Sequence, residues 1–270
     1  MTGLQNLHSH TKYCDGILTL EEMVYAAIGK GCDSFGFSGH GYAPFDPGTM
    51  SLENTERYLD EIRQLKEKYA DRIELFTGIE QEYHGDLVQA DIDYMIGAVH
   101  FVKYEGLFMC VDGNERVLRA AVDTYLGGDY YKLAELYYEL AADIARKTNA
   151  DIIAHFDIVK KYNIAGSMFD ETNPRYVGAA LDAMNELLKS CRIFEVNTGA
   201  MYRFNKPEPY PSEFLLKELY KRGGEVIITS DSHDGESIGY KFGEMRELLK
   251  SCGFKYSKRL TKNGFIDVLL

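Results

Sequence analysis

A chain of 270 residues, 45% apolar and 27% charged, has the composition of an ordinary globular protein and is long enough for one barrel-sized core. Its formal net charge of −12 disfavours nucleic acid, no apolar run reaches the ~18 residues that span a bilayer, and the start MTGLQNLHSH lacks the basic and apolar stretches of a signal peptide. The expectation is a cytoplasmic protein with neither nucleic acid nor membrane as partner, and its five scattered cysteines, none in a CxxC pair, exclude a disulfide framework or a thiolate zinc finger.

Short runs rich in β-branched or aromatic residues predict strands at 3–8, 33–38, 72–79, 93–99, 151–155, 192–197 and 225–230. Helical patterns alternate with them. Thr19 and Glu22 form a capping box, and Gly29 and Gly31 end that helix. Residues 52–70 carry apolar side chains at helical spacing. A long helical region follows at 114–148, broken at Gly127-Gly128, and further helices fit 174–190, 212–222 and 241–252. Strands alternating with helices imply a parallel α/β fold in a single domain covering 1–270.

The polar residues decide between an open sheet and a barrel. Six of the seven histidines stand at or just past a strand's C-terminal end: His8 and His10, His40, His100, His155 and His233. Glu80, Asn197 and Asp231 take equivalent places. Ligands from nearly every strand end favour a barrel, whose site is assembled on that face, over an open sheet with one switch point. Residues i and i+2 of an extended chain point the same way, so His8 and His10 can reach one ion, and Asp231 and His233 repeat the spacing. Imidazole with carboxylate suits zinc, manganese or iron, and Glu80 can bridge two ions. A lone buried histidine is more often a hydrogen-bonded core residue than a ligand; the joint pattern is what favours metal. His84, in a polar loop, is expected at the rim.

HSH near the start, FSGH, GIEQEYH, GAVHF, AHFD and a closing SDSHD, in that order, resemble the PHP (polymerase and histidinol phosphatase) family from residue 7 to about 253. EVNTGAMYRFNKPEPYPS (195–212) and SDSHDGESIGYKFGEMRELLKSCGF (230–254) resemble the histidinol-phosphate phosphatase branch. The resemblance implies a distorted seven-stranded (β/α), TIM-like barrel with two to three divalent ions. The first would be held by His8, His10, Glu80 and Asp231, the second by Glu80, His100 and His155, the third by Asp15, His40 and His233. Many relatives place a histidine where this chain has Asp15.

The implied reaction is hydrolysis of L-histidinol phosphate to L-histidinol and phosphate, a step of histidine biosynthesis. A water shared by two ions would be acidified and would attack phosphorus, with Asp231 or His233 relaying a proton to the leaving group. Lys160 and Arg203, just beyond strands five and six, are expected on the phosphate, and Asn197 and Ser230 as hydrogen-bonding residues. Asp157, Glu105 and Asp112 are candidate partners of the substrate amine. Two alternatives stand beside this reading: a PHP phosphoesterase acting on another small phosphate, a nucleotide or a phosphotyrosine protein, and a non-catalytic metal-binding PHP module. Homo-oligomerisation is left open.

Overall fold

The computed structural model describes residues 3–270; of the expected domain 1–270, the first two residues lie outside the described residues. In chain order the elements are β1 (Leu4–Asn6), α1 (Leu20–Gly29), β2 (Cys32–Phe37), α2 (Leu52–Lys68), β3 (Glu74–Glu82), β4 (Tyr94–Ala98), β5 (Phe101–Tyr104), β6 (Leu107–Cys110), α3 (Glu115–Tyr125) and α4 (Tyr130–Thr148). There follow β7 (Ile152–Ile153), α5 (Pro174–Leu187), β8 (Ile193–Asn197), α6 (Gly199–Arg203), α7 (Glu213–Lys221), β9 (Glu225–Thr229), α8 (Phe242–Cys252), β10 (Tyr256–Thr261) and β11 (Gly264–Leu269).

Local sequence explains the boundaries. Thr19 caps α1 through a complete capping box with Glu22. Gly127 and Gly128 adopt φ of 61° and 79°, a left-handed pair that separates α3 from α4 where one long helix would otherwise run. Among the described residues, no helix is long and apolar enough to cross a membrane.

Seven strands form one parallel sheet in the order β1-β2-β3-β4-β7-β8-β9. The ends of that sheet meet just beyond β1 and β9: the His10 N–H donates to the Ser232 carbonyl (2.7 Å) and the Ser232 N–H to that of His8 (3.0 Å). The result is the expected distorted (β/α)7 barrel, nearly closed, in a single domain.

Side-chain alternation divides each strand between two environments. Phe194 and Val226 pack outward against helices, while Leu7, Phe76, Tyr94, Ile96, Ile152, Ile193 and Ile227 form the interior cluster. The Tyr94 ring fills the barrel at the level of Gly36 and Gly78. A Cβ on Gly78 would lie 2.3 Å from Tyr94 Cζ, and one on Gly36 would lie 2.4 Å from its hydroxyl. That hydroxyl donates to the carbonyls of Leu7 and Phe37.

Two antiparallel hairpins were not expected from the sequence. β5–β6 stands beside the rim at the C-terminal ends of the strands. β10–β11 closes the opposite end: Leu260 joins the interior cluster with Phe265 packed against it, and Gln5 hydrogen-bonds both backbone groups of Leu260.

Candidate metal centre

The strand face that is apolar at the bottom of the barrel becomes polar at the top. On β8, Ile193 is followed by Glu195 and Asn197 at successive inward positions. On β3, Phe76 and Gly78 are followed by Glu80 and Glu82. His100 follows β4, His155 follows β7, and Asp231 and His233 follow β9. A backbone bridge between His40 and Glu80 sets the loop after β2 against β3. Asp231 sits at φ 45°, a left-handed conformation unusual for a residue with a Cβ.

Five of the expected metal ligands, all imidazoles, converge on Glu80, which is buried, and the remaining three, Asp15, Asp231 and His233, lie against these histidines or one another. Glu80 Oε2 lies 3.2 Å from His8 Nε2, 3.4 Å from His10 Nε2 and 3.0 Å from His40 Nδ1; its Oε1 lies 3.0 Å from His155 Nε2 and 3.4 Å from His100 Nε2. Asp231 Oδ1 is 3.2 Å from His10 Nε2 and 3.6 Å from His8 Nε2. Asp15 lies beside His10 (3.4 Å), His40 (3.7 Å) and His233 (3.0 Å). Donor atoms of His8, His10 and Asp231, of His40, Glu80 and His100, and of His10, Asp15, His40 and His233 lie within 4.8 Å of one another in each group.

His8 Nε2, His10 Nε2 and Glu80 Oε2 are shut off from solvent yet make no hydrogen bond. Buried polar atoms are normally satisfied. Three of them aimed at a common point, with imidazole and carboxylate around them, fit divalent ions.

The electrostatics agree. Burial disfavours charge on His8, but Glu195, Glu80 and Asp231 outweigh it and raise its pKa well above the ordinary histidine value. Burial, reinforced by His233 and His40, pulls His10 down to about 3, leaving a neutral imidazole ready to ligate. Glu80 resists its own burial because His8, His40 and His100 hold it well below the usual carboxylate range. Asp231 is likewise held ionised against burial, first by Arg203 and then by His8.

The cluster forms the floor of a cavity of about 380 Å³ whose wall includes Asp112, Lys161, Arg203 and Phe204. Arg203, expected on the phosphate, lines this cavity: its guanidinium donates to Asp231 Oδ2 (2.8 Å) and lies against His233 (2.6 Å). Lys160, expected there too, does not line it. Its ammonium points away, between Asp157 (3.2 Å), Glu171 (3.3 Å) and Glu208 (2.7 Å), and its neighbour Lys161 faces the cavity instead. Asn197 and Ser230 also lie off the cavity wall. Asn197 donates to Glu195 (2.8 Å) and Asp231 (3.3 Å) beneath the cluster, and the fully buried Ser230 bonds Asn6 and Ser232.

Of the three carboxylates considered for an amine, only Asp112 lines the cavity; Asp157 is buried against Lys160, and Glu105 is in the β5–β6 turn. His84 stays outside the cluster, edge-on to Tyr83 and Phe108.

One buried residue in contact with the cluster was not expected from the sequence. Glu195, fully buried, accepts from His8 Nδ1 (2.7 Å), the His155 N–H (2.6 Å), Asn197 Nδ2 (2.8 Å) and Thr229 Oγ1 (2.8 Å). The available signal was a carboxylate at an inward position between the apolar residues of IFEV.

A model of the PHP domain family matches residues 6–199. Along its length the chain is 29% identical to a protein from Deinococcus radiodurans named "Probable histidinol-phosphatase", over 94% of this chain and 95% of that one. It is 26% identical to a protein of the same name from Schizosaccharomyces pombe, over 91% of this chain and 86% of that one. The fold matches the crystal structure of a histidinol phosphate phosphatase from Lactococcus lactis complexed with zinc, L-histidinol and phosphate. The TM-score is 0.73 at 20% identity, covering 97% of this chain and 98% of that one.

Proposed function

The chain belongs to the PHP domain family, and from that premise we propose that it is a metal-dependent phosphomonoesterase hydrolysing L-histidinol phosphate to L-histidinol and phosphate. The observation that carries this is the convergence of five imidazoles on the buried Glu80, with Asp231 beside two of them and donor atoms left unbonded, at the mouth of a barrel. Full-length likeness to proteins named histidinol-phosphatase supplies the substrate.

His8, His10, Glu80 and Asp231 would hold a first ion, Glu80, His100 and His155 a second, and Asp15, His40 and His233 a third, each zinc, manganese or iron. Bound there, such ions acidify a water to a nucleophile near neutral pH and offset charge on the phosphoryl oxygens. Arg203 grips the phosphate with its planar fork, kept in place by Asp231, and Lys161, over the same Phe204 ring, adds a point charge. Asp231 and His233 are the titratable groups beside Arg203 that relay a proton through water to the leaving alkoxide. Asp112, on the same wall as Lys161, meets the substrate amine.

The test is phosphate release across a panel of esters with added manganese, zinc or iron. Histidinol phosphate should exceed glycerol phosphate in kcat/KM by more than about tenfold, or ~1.4 kcal/mol of transition-state binding. Equal rates indicate a general phosphatase. Preference for a nucleotide or a phosphotyrosine peptide selects the second enzymatic reading, and no release from any ester with metal bound selects the non-catalytic module.

A further inference from the structure

Glu195 touches neither the cavity nor Glu80, yet it reaches two of the proposed ligands from beneath. Its Oε2 meets His8 Nδ1 at 2.7 Å and Thr229 Oγ1 at 2.8 Å; its Oε1 accepts the backbone N–H of His155 at 2.6 Å and Asn197 Nδ2 at 2.8 Å. One carboxylate thus ties together strand ends of β1, β7, β8 and β9 inside the barrel, with no exposure to water. We propose that Glu195 is a positioning residue that fixes the tautomer and ring orientation of His8, and so governs occupancy of the ion site formed by His8, His10, Glu80 and Asp231. This rests on the metal-dependent reading above.

A neutral imidazole carries one N–H, and an ionised carboxylate can only accept. When His8 gives up a proton to ligate an ion, Glu195 keeps the remaining one on Nδ1, which leaves the Nε2 lone pair directed at Glu80 and Asp231, where a ligand is required. A carboxylate behind a ligating histidine also raises its donor strength, and loss of such a partner typically weakens metal binding by about 10–100-fold.

Glutamine is nearly isosteric but cannot serve both edges. The His155 backbone N–H is an obligate donor, so the amide oxygen is drawn to that side and the NH2 is turned onto His8. Nδ1 must then accept, the proton moves to Nε2, and Nε2–H points at the ion site.

The experiment is zinc titration by calorimetry of wild type, Glu195→Gln and Thr229→Val, with 15N-histidine NMR reporting the His8 tautomer. Glu195→Gln is expected to bind the first-site zinc at least about tenfold more weakly and to show His8 protonated on Nε2. Thr229→Val removes a hydrogen bond from the same carboxylate oxygen without changing what His8 faces, and is expected to retain wild-type zinc affinity. Wild-type zinc affinity with an unchanged His8 tautomer in Glu195→Gln overturns the proposal, as does an equal loss in both variants, which would mark a purely structural role. If Glu195→Gln fails to fold, zinc-loaded wild type decides: His8 ligated through Nε2 with Nδ1–H retained supports the proposal, and ligation through Nδ1 refutes it. Wild type that binds zinc but releases no phosphate from any ester sinks the functional reading and leaves this one standing.

Discussion

At the scale of single residues, Lys160 and Lys161 are chain neighbours with opposite surroundings. Lys160 is caged by three carboxylates, and one of them, Asp157, is completely buried. Removing one partner of a buried ion pair leaves an uncompensated charge and costs about 3–5 kcal/mol. Lys160→Ala should therefore lower the melting temperature by on the order of 10 °C, with kcat/KM per folded molecule little changed. Lys161→Ala should do the reverse, leaving the melting temperature within a few degrees but reducing kcat/KM for histidinol phosphate by about tenfold or more, as expected on loss of a charge that stabilises the phosphoryl group. Activity and thermal melts on both variants separate the roles; a Lys160→Ala enzyme that folds normally and loses activity would reverse the assignment. Glu80 and His84 offer a second contrast. Glu80→Gln removes charge where five imidazoles converge, so metal content and turnover should both fall by orders of magnitude, whereas His84→Ala disturbs aromatic edge contacts outside the cluster. Elemental analysis beside phosphate release reads both, and a Glu80→Gln protein with wild-type turnover at limiting metal would rule out a bridging carboxylate.

At the scale of elements, the barrel strands and the candidate ligands were legible because each strand is a short apolar run and all but β8, which ends in Asn197, run into a histidine or a carboxylate. Strand β7 pairs over Ile152–Ile153 alone, although the run 151–155 reads longer, because its chain turns at once to bring His155 inward. The hairpins were hidden for specific reasons. The β5–β6 turn places Glu105 and Gly106 at φ 47° and 85°, a left-handed pair usually announced by Asn-Gly or Asp-Gly; glutamate in the first position masks it. In β10–β11 the Asn263-Gly264 pair is the ordinary signal, but the short strands on either side carry charged residues that read as surface. Helix α6 has five residues, too few for periodicity to register, yet it is what turns Arg203 into the site. Sequence position did not show that Lys160 turns to carboxylates while Lys161 faces the cavity, because adjacent residues in a tight helical turn point in different directions. The interior also depends on a size match between strands that periodicity cannot see. Gly78→Ala on β3 would drive a methyl into the Tyr94 ring of β4, whose hydroxyl is anchored on two backbone carbonyls. Overpacking of this kind costs about 1–3 kcal/mol. The single variant should melt several degrees lower, and Gly78→Ala with Tyr94→Leu should recover part of the loss, since the smaller side chain frees the space. Additive losses in the double variant would show that the contact is not the cause.

At the scale of the whole molecule, the charges gathered at the barrel mouth couple stability, protons and metal. In the metal-free protein His8, His40 and His100 have pKa values raised well above the ordinary histidine value: burial opposes the charge but Glu195 and Glu80 (for His8), Glu80 and Asp15 (for His40) and Glu80 and Asp112 (for His100) outweigh it. Their contribution to stability is fully present below the unfolded pKa of about 6.5 and is lost as pH rises through the raised folded values. Glu80 and Asp231 run the other way. Held below the carboxylate range against burial, chiefly by His8 and by Arg203 respectively, they contribute above about pH 4.5 and lose that contribution as pH falls through their folded values. The metal-free fold should thus be most stable at roughly pH 5–6, between the two reference values, and weaken towards alkaline pH as the imidazoles release protons and leave the carboxylates facing one another. Divalent ions need those same imidazoles deprotonated, so metal affinity rises over the range in which the metal-free fold weakens. An ion present at about 100 times its dissociation constant adds ~2.7 kcal/mol to stability per site. The increase in melting temperature produced by a fixed concentration of zinc should therefore be small at pH 5 and grow steadily to pH 8, with protons released on binding in calorimetry. In Glu80→Gln most of that increase should vanish at every pH, because the side chain shared by the first two proposed ion sites no longer carries charge. A zinc-induced shift of the same size at pH 5 and pH 8 would mean that the metal binds elsewhere, away from the buried imidazoles.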